Sequence, residues 1–173
     1  AYCLISDSGW RWMILAAAYL AGYNSRQRFA WFIYAFAVWD IFYYVFLKLL
    51  LNWPDSWFTW DILFLIPVVW TGPVIAPILV SLTMIFLSGT VMMIDRKPGS
   101  GYIGWQVLLL IVTGSVLIFL SFIWSYCSFV IHHDSVEALF RPGGAASSLR
   151  SYVPGAFNWL LFVAGEAAEI SGI

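Results

Sequence analysis

The sequence predicts an all-α integral membrane protein. The expected architecture is a compact bundle of about five transmembrane helices plus a short interfacial or re-entrant helix at about 57–66. Three observations predict this. Charged residues are 10% of the chain and hydrophobic residues 62%, whereas an ordinary soluble domain carries about 25% charged residues. Mean hydropathy is +0.87 over the whole 173 residues, which leaves no room for a sizeable soluble domain. Aromatic residues make up 20% of the chain, and eleven of them are Trp. Trp and Tyr favour the headgroup layer, where a ring is half apolar and half wet.

The apolar runs are continuous, as in LLLIVTGSVLIFLSFIW at 108–124. Strands of a membrane barrel alternate apolar and polar residues instead, so helices are expected. The net charge of −1 gives no reason to expect nucleic acid or an anionic surface as partner. No basic segment followed by a cleavage site is present, so no signal peptide is expected within these residues.

A single membrane domain, 1–173, is expected, with spans at about 9–23, 29–51, 73–94, 102–131 and 153–170. The polar turns NSRQR at 24–28 and NWPDS at 52–56 bound the second span. Residues 61–94 as one straight helix would reach about 50 Å at 1.5 Å per residue, beyond the ~30 Å hydrocarbon core. Pro67, Pro73 and Pro77 also remove three backbone donors from that run. The run therefore divides. A short helix at 57–66 rests near the interface, with Thr59 as its cap and Asp61 in its first turn, facing the positive end of the helix dipole. Pro73 then opens the third span, at the position where its missing donor costs least. DRKPGSG at 95–101 is a tight loop, and 132–152 is the one substantial segment outside the membrane.

Arg26 and Arg28 lie in one short loop, and Arg96 and Lys97 in another. The bias of Lys and Arg toward cytoplasmic loops then places 24–28 and 95–101 in the cytoplasm and the N-terminus outside, in a bacterial plasma membrane.

Asp40 is the most informative candidate. It lies near the middle of the second span, where a carboxyl group is costly and faces a bundle interior or a wet cavity. Tyr44 and Lys48 follow at four-residue spacing along the same face, with Tyr43 beside them. Two readings of this set are open: a proton-carrying or ligand-holding site, or a hydrogen-bonded tie between helices. The tripeptide WDI occurs at 39–41 and again at 60–62, which chance explains in a chain this rich in Trp.

The only two histidines lie in HHDSVE. His132, His133, Asp134 and Glu137 would make at most half a metal site, since a helix puts His133 and Glu137 one turn apart. A polar helix end leaving the membrane is the plainer account. Adjacent histidines diverge by about 100° on a helix and cannot clamp one haem iron. Cys3 and Cys127 fall on the same side of this topology, so a pairing is open, although free thiols are the expectation. Gly114, Ser121, Ser125, Ser128 and His132 stripe the fourth span and read as a packing surface, as do Ala18 and Gly22 on the first. Glu166 and Glu169 are expected at a solvated helix end.

No phosphate loop, nucleophile elbow or zinc-protease motif is present. The leading expectation is a non-catalytic accessory or scaffold subunit of a larger membrane complex. Its partners would be membrane lipid and other membrane subunits or copies of itself. Lipid or a pigment would be the bound group, rather than a covalent cofactor. The alternative is a small transporter or ligand-binding protein using Asp40, Tyr43 and Tyr44. A third reading is an outer-surface metal-dependent membrane enzyme using the histidine segment.

Overall fold

The computed structural model describes residues 13–64, 69–95, 104–133 and 155–173. Helices dominate them: α1 (13–21), α2 (Ser25–Leu51), α3 (Ile75–Asp95), α4 (Trp105–His133) and α5 (Trp159–Gly172). Helices α2, α3 and α4 are each long and apolar enough to cross a membrane. The fourteen residues of α5 extend about 21 Å; of the rest of the expected last span, residues 155–158 are not helical and 153–154 lie outside those described. The same holds for residues 9–12 of the expected first span.

The chain divides into two units. The first comprises Ala1–Trp53 and Ile78–Ile103, and the second Pro54–Pro77 and Gly104–Gly172.

In the first unit, α2 starts where its sequence signals a start. Asn24 is the N-cap, and its Oδ1 accepts from Gln27 N at 2.8 Å. The Gln27 side chain reaches back to accept from Tyr23 N at 3.2 Å, so two otherwise unmade backbone bonds are satisfied in the manner of a capping box. Gly22 is required at the turn before it, because a Cβ there would lie 2.5 Å from the Arg28 backbone nitrogen. Arg28 Nε donates to Gly22 O at 3.1 Å, and its guanidinium sits 3.9 Å from the centre of the Tyr19 ring. At the other end Asn52 takes a left-handed conformation, φ 54°, with its N–H bonded to Lys48 O. Trp53 N then reaches back to Leu47 O. The Asn52–Lys48 bond is that of the left-handed helix stop, and Asn tolerates the left-handed position better than most other non-glycine residues.

Along α2 the buried residues are Ala30, Ile33, Ala37 and Tyr44. Their spacing of three, four and seven defines one face, and Asp40 falls on it.

The second unit corrects the sequence expectation at 57–66. That segment is not a helix. Trp60–Phe64 forms strand β1, which pairs antiparallel with β2 (Trp70–Pro73). The register matches Trp60 with Pro73, Asp61 with Gly72, and Ile62 with Thr71, then slips before Phe64 meets Trp70. Pairing continues past the strands, with Val74 N bonded to Thr59 O and Ile75 N to Trp57 O, each at 3.0 Å. Pro73 therefore ends a strand and does not open α3. Pro77 takes the tolerated place in that helix, within a first turn whose N–H groups have no helical partner. The physical reason for the miss is plain. WDILF is short and continuously apolar after Asp61, so periodicity cannot tell strand from helix there, while aromatic and branched residues on both sides favour pairing.

Helix α4 packs along α5, and β2 lies against α4. Phe162, Gly165, Glu169 and Gly172 form the buried stripe of α5. It meets Gly114, Ile118 and Phe122 of α4. A Cβ on Gly165 would lie 2.8 Å from Gly114 O, and one on Gly114 would lie 2.7 Å from Gly165 O. The backbones touch. Close approach through small residues is how helices gain contact where lipid removes the usual hydrophobic drive. Above this crossing, Phe157 joins Trp60, Phe122, Trp159 and Phe162 in an aromatic cluster, with ring centres 4.9 to 6.3 Å apart. Gly72 lets β2 lie on that cluster, since a Cβ there would meet the Phe122 ring at 2.9 Å.

Candidate functional site

The described helices place few polar groups inside, and two of those are carboxyl groups bonded to serines on a neighbouring helix. In the first unit Ser81 Oγ of α3 donates to Asp40 Oδ2 of α2 at 2.8 Å. Ser81 is 2% exposed. In the second unit Ser115 Oγ of α4 lies 2.7 Å from Glu169 Oε1 of α5, and 2.9 Å from Ile111 O of its own helix. Glu169 is only 5% exposed. In a medium without water, such bonds are how a polar side chain is accommodated.

The sequence candidates around Asp40 separate into different roles. Tyr44 is buried with Asp40's face. Tyr43 is exposed and stacks on Trp39, with ring centres 5.8 Å apart, while its edge meets Tyr44 at 5.2 Å. Lys48 lies two turns further on, at the end of α2, and its Nζ donates to Asn52 O at 3.5 Å. Asp40 and Ser81 are thus brought together, whereas Lys48 serves the helix terminus, where a cation suits the dipole.

On the next face of α2 runs an apolar groove of about 360 Å³. Trp39, Tyr43, Phe46 and Leu50 lie along it, at the spacing that repeats on one side of a helix. Trp39 and Tyr43 flank Asp40 in the chain, so the groove passes beside the carboxyl-bearing turn. Its lining is almost wholly apolar, which suits a hydrocarbon occupant rather than a hydrated ion.

Thr59 and Asp61 cap no helix, because their segment is extended. Thr59 closes a turn: its Oγ1 accepts from Ser56 N at 3.1 Å. Asp61 Oδ1 accepts from Ile62 N at 2.8 Å within the strand. Of the histidine segment, His132 and His133 end α4, and Asp134 and Glu137 lie outside the described residues. Cys3 also lies outside them. Among the described residues no three His, Cys, Asp or Glu side chains come together as metal ligands would.

Glu169 is the residue that sequence reasoning missed. Its position near the chain end suggested a solvated terminus. The signal that identifies it is the glycine on either side, Gly165 and Gly172, at one-turn spacings that mark a contact face. The packing stripe read on α4 is supported at Gly114 and at Ser121, which is 1% exposed and donates to Ile118 O. Ser125 Oγ accepts from Gly155 N at 3.4 Å.

Comparison of the chain with family models, with curated proteins and with solved structures gave no match to any of them.

Proposed function

We propose that this chain is a non-catalytic membrane subunit that packs through its helix faces and carries lipid hydrocarbon along α2. The observation that carries this reading is the groove beside Trp39, Tyr43, Phe46 and Leu50 on a helix apolar enough to span the bilayer. Asp40 and Glu169, the carboxyls nearest a functional role, each bond to a serine of a neighbouring helix, which suits a tie between helices. Beyond the groove, α2 and α4 expose large apolar side chains such as Val45, Leu49, Val112 and Trp124. Faces of that kind suit lipid or other membrane helices. The expected orientation belongs to the same proposal: 24–28 and 95–101 on the cytoplasmic side of a bacterial plasma membrane.

The test is isolation of the tagged full chain from its own membrane in mild detergent, followed by native mass spectrometry. Stoichiometric membrane partners, or retained lipid that is lost when Trp39 and Phe46 are both changed to Ala, support the proposal. A stable monomer that carries neither partner nor lipid overturns it.

A second reading keeps Asp40 as a ligand or proton site with Tyr43 and Tyr44, because that carboxyl is only partly buried and adjoins the groove-lining rings. It expects Asp40→Asn to abolish uptake or ligand binding in protein that still folds, and unchanged binding removes it.

A further inference from the structure

We infer that Glu169 and Ser115 form a buried proton-binding site at the α4–α5 crossing, in which Glu169 holds the proton as the uncharged acid. The inference is independent of the subunit reading above. It rests on a count of hydrogens. Ser115 Oγ is within bonding distance of two oxygens, Ile111 O at 2.9 Å and Glu169 Oε1 at 2.7 Å. A serine hydroxyl has one hydrogen to give, and an ionised carboxylate only accepts. Both contacts are fully made when the carboxyl brings its own hydrogen. Glu169 O–H then donates to Ser115 Oγ, and Ser115 O–H donates to Ile111 O.

The surroundings favour the same arrangement. Glu169 is 5% exposed. The helix packed against it, α4, contains no Asp, Glu, Lys or Arg from 105 to 133. Among the described residues of the second unit there is no Lys or Arg at all. On its own helix the nearest titratable group is Glu166, one turn earlier, which would add a like charge. The crossing is also tight. A Cβ on Gly114 would lie 2.5 Å from Glu169 Cγ, so the carboxyl stem occupies the space a side chain would otherwise take. Among the described residues of this unit a carboxylate there has no counter-charge to offset its lost hydration, and taking up a proton is the usual resolution.

Infrared difference spectra of the full chain in lipid nanodiscs at neutral pH test this. Wild type minus Glu169→Gln should show the C=O stretch of a protonated carboxylic acid, and Ser115→Ala should keep that band but move it. Carboxylate bands in the difference spectrum overturn the inference. If Glu169→Gln does not fold, the protein carrying Glu137→Gln and Glu166→Gln has Glu169 as its one glutamate. Grown with 13C-labelled glutamate, it should show an isotope-shifted acid band, and an isotope shift confined to carboxylate bands refutes the site.

Discussion

Replacing Gly165 by Ala tests the α4–α5 crossing directly. The new Cβ would stand 2.7 Å from Ile118 Cγ1, 2.8 Å from Gly114 O and 2.9 Å from Ile118 N, where ordinary contact begins at 3.4 Å. Two of these three atoms are backbone, so no rotamer change relieves them. The helices must part by several tenths of an ångström. Overpacking of this kind costs about 1–3 kcal/mol, and the contacts with backbone place this site toward the upper end. Alanine returns up to about 1 kcal/mol of helix propensity, which leaves a net loss of about 1–2 kcal/mol. Gly89 on α3 supplies the control, since a Cβ there meets nothing within 4 Å. Gly89→Ala should gain up to about 1 kcal/mol from propensity alone. Reversible unfolding in mixed detergent micelles, followed by tryptophan fluorescence, measures both. Equal stabilities for the two variants would refute the packing described for α4 and α5.

Two further outcomes follow from the first unit, in the same unfolding assay. Ser81→Ala removes the donor to Asp40 from a neighbouring helix and should cost about 1 kcal/mol. Ser88→Ala should cost less, because the Ser88 hydroxyl bonds only Ile85 O of its own helix, and equal losses would deny the α2–α3 bond its role. Asn52→Ala should cost about 1 kcal/mol while Asn52→Gly is tolerated, because φ is 54° there and alanine is disfavoured in that conformation. An Ala variant as stable as the Gly variant would contradict the left-handed cap.

Much of the helical framework is legible in the sequence. The expected 29–51, 73–94 and 102–131 spans correspond to Ser25–Leu51, Ile75–Asp95 and Trp105–His133, because long apolar runs bounded by polar turns leave little alternative. The helix α2 begins four residues earlier than its apolar run because Asn24 and Gln27 cap it, and hydropathy does not register a cap. The hairpin was hidden for a different reason. Pairing of Trp60–Phe64 with Trp70–Pro73 is a contact between segments, whereas a window along the chain sees only one of them. Asp40 was singled out by its place midway along an apolar run. Its partner Ser81 was not, since one serine in an apolar run carries no directional signal. Glu169 shows the opposite case: its depth was misjudged, and only the glycines beside it point to a helix contact.

The hairpin also sets a level. A ribbon of two strands has an outer rim on each side, and rim amides of a sheet cannot be left bare in hydrocarbon. The ribbon must float where water or headgroups reach it, as the exposed rings of Trp57 and Phe58 next to it also favour.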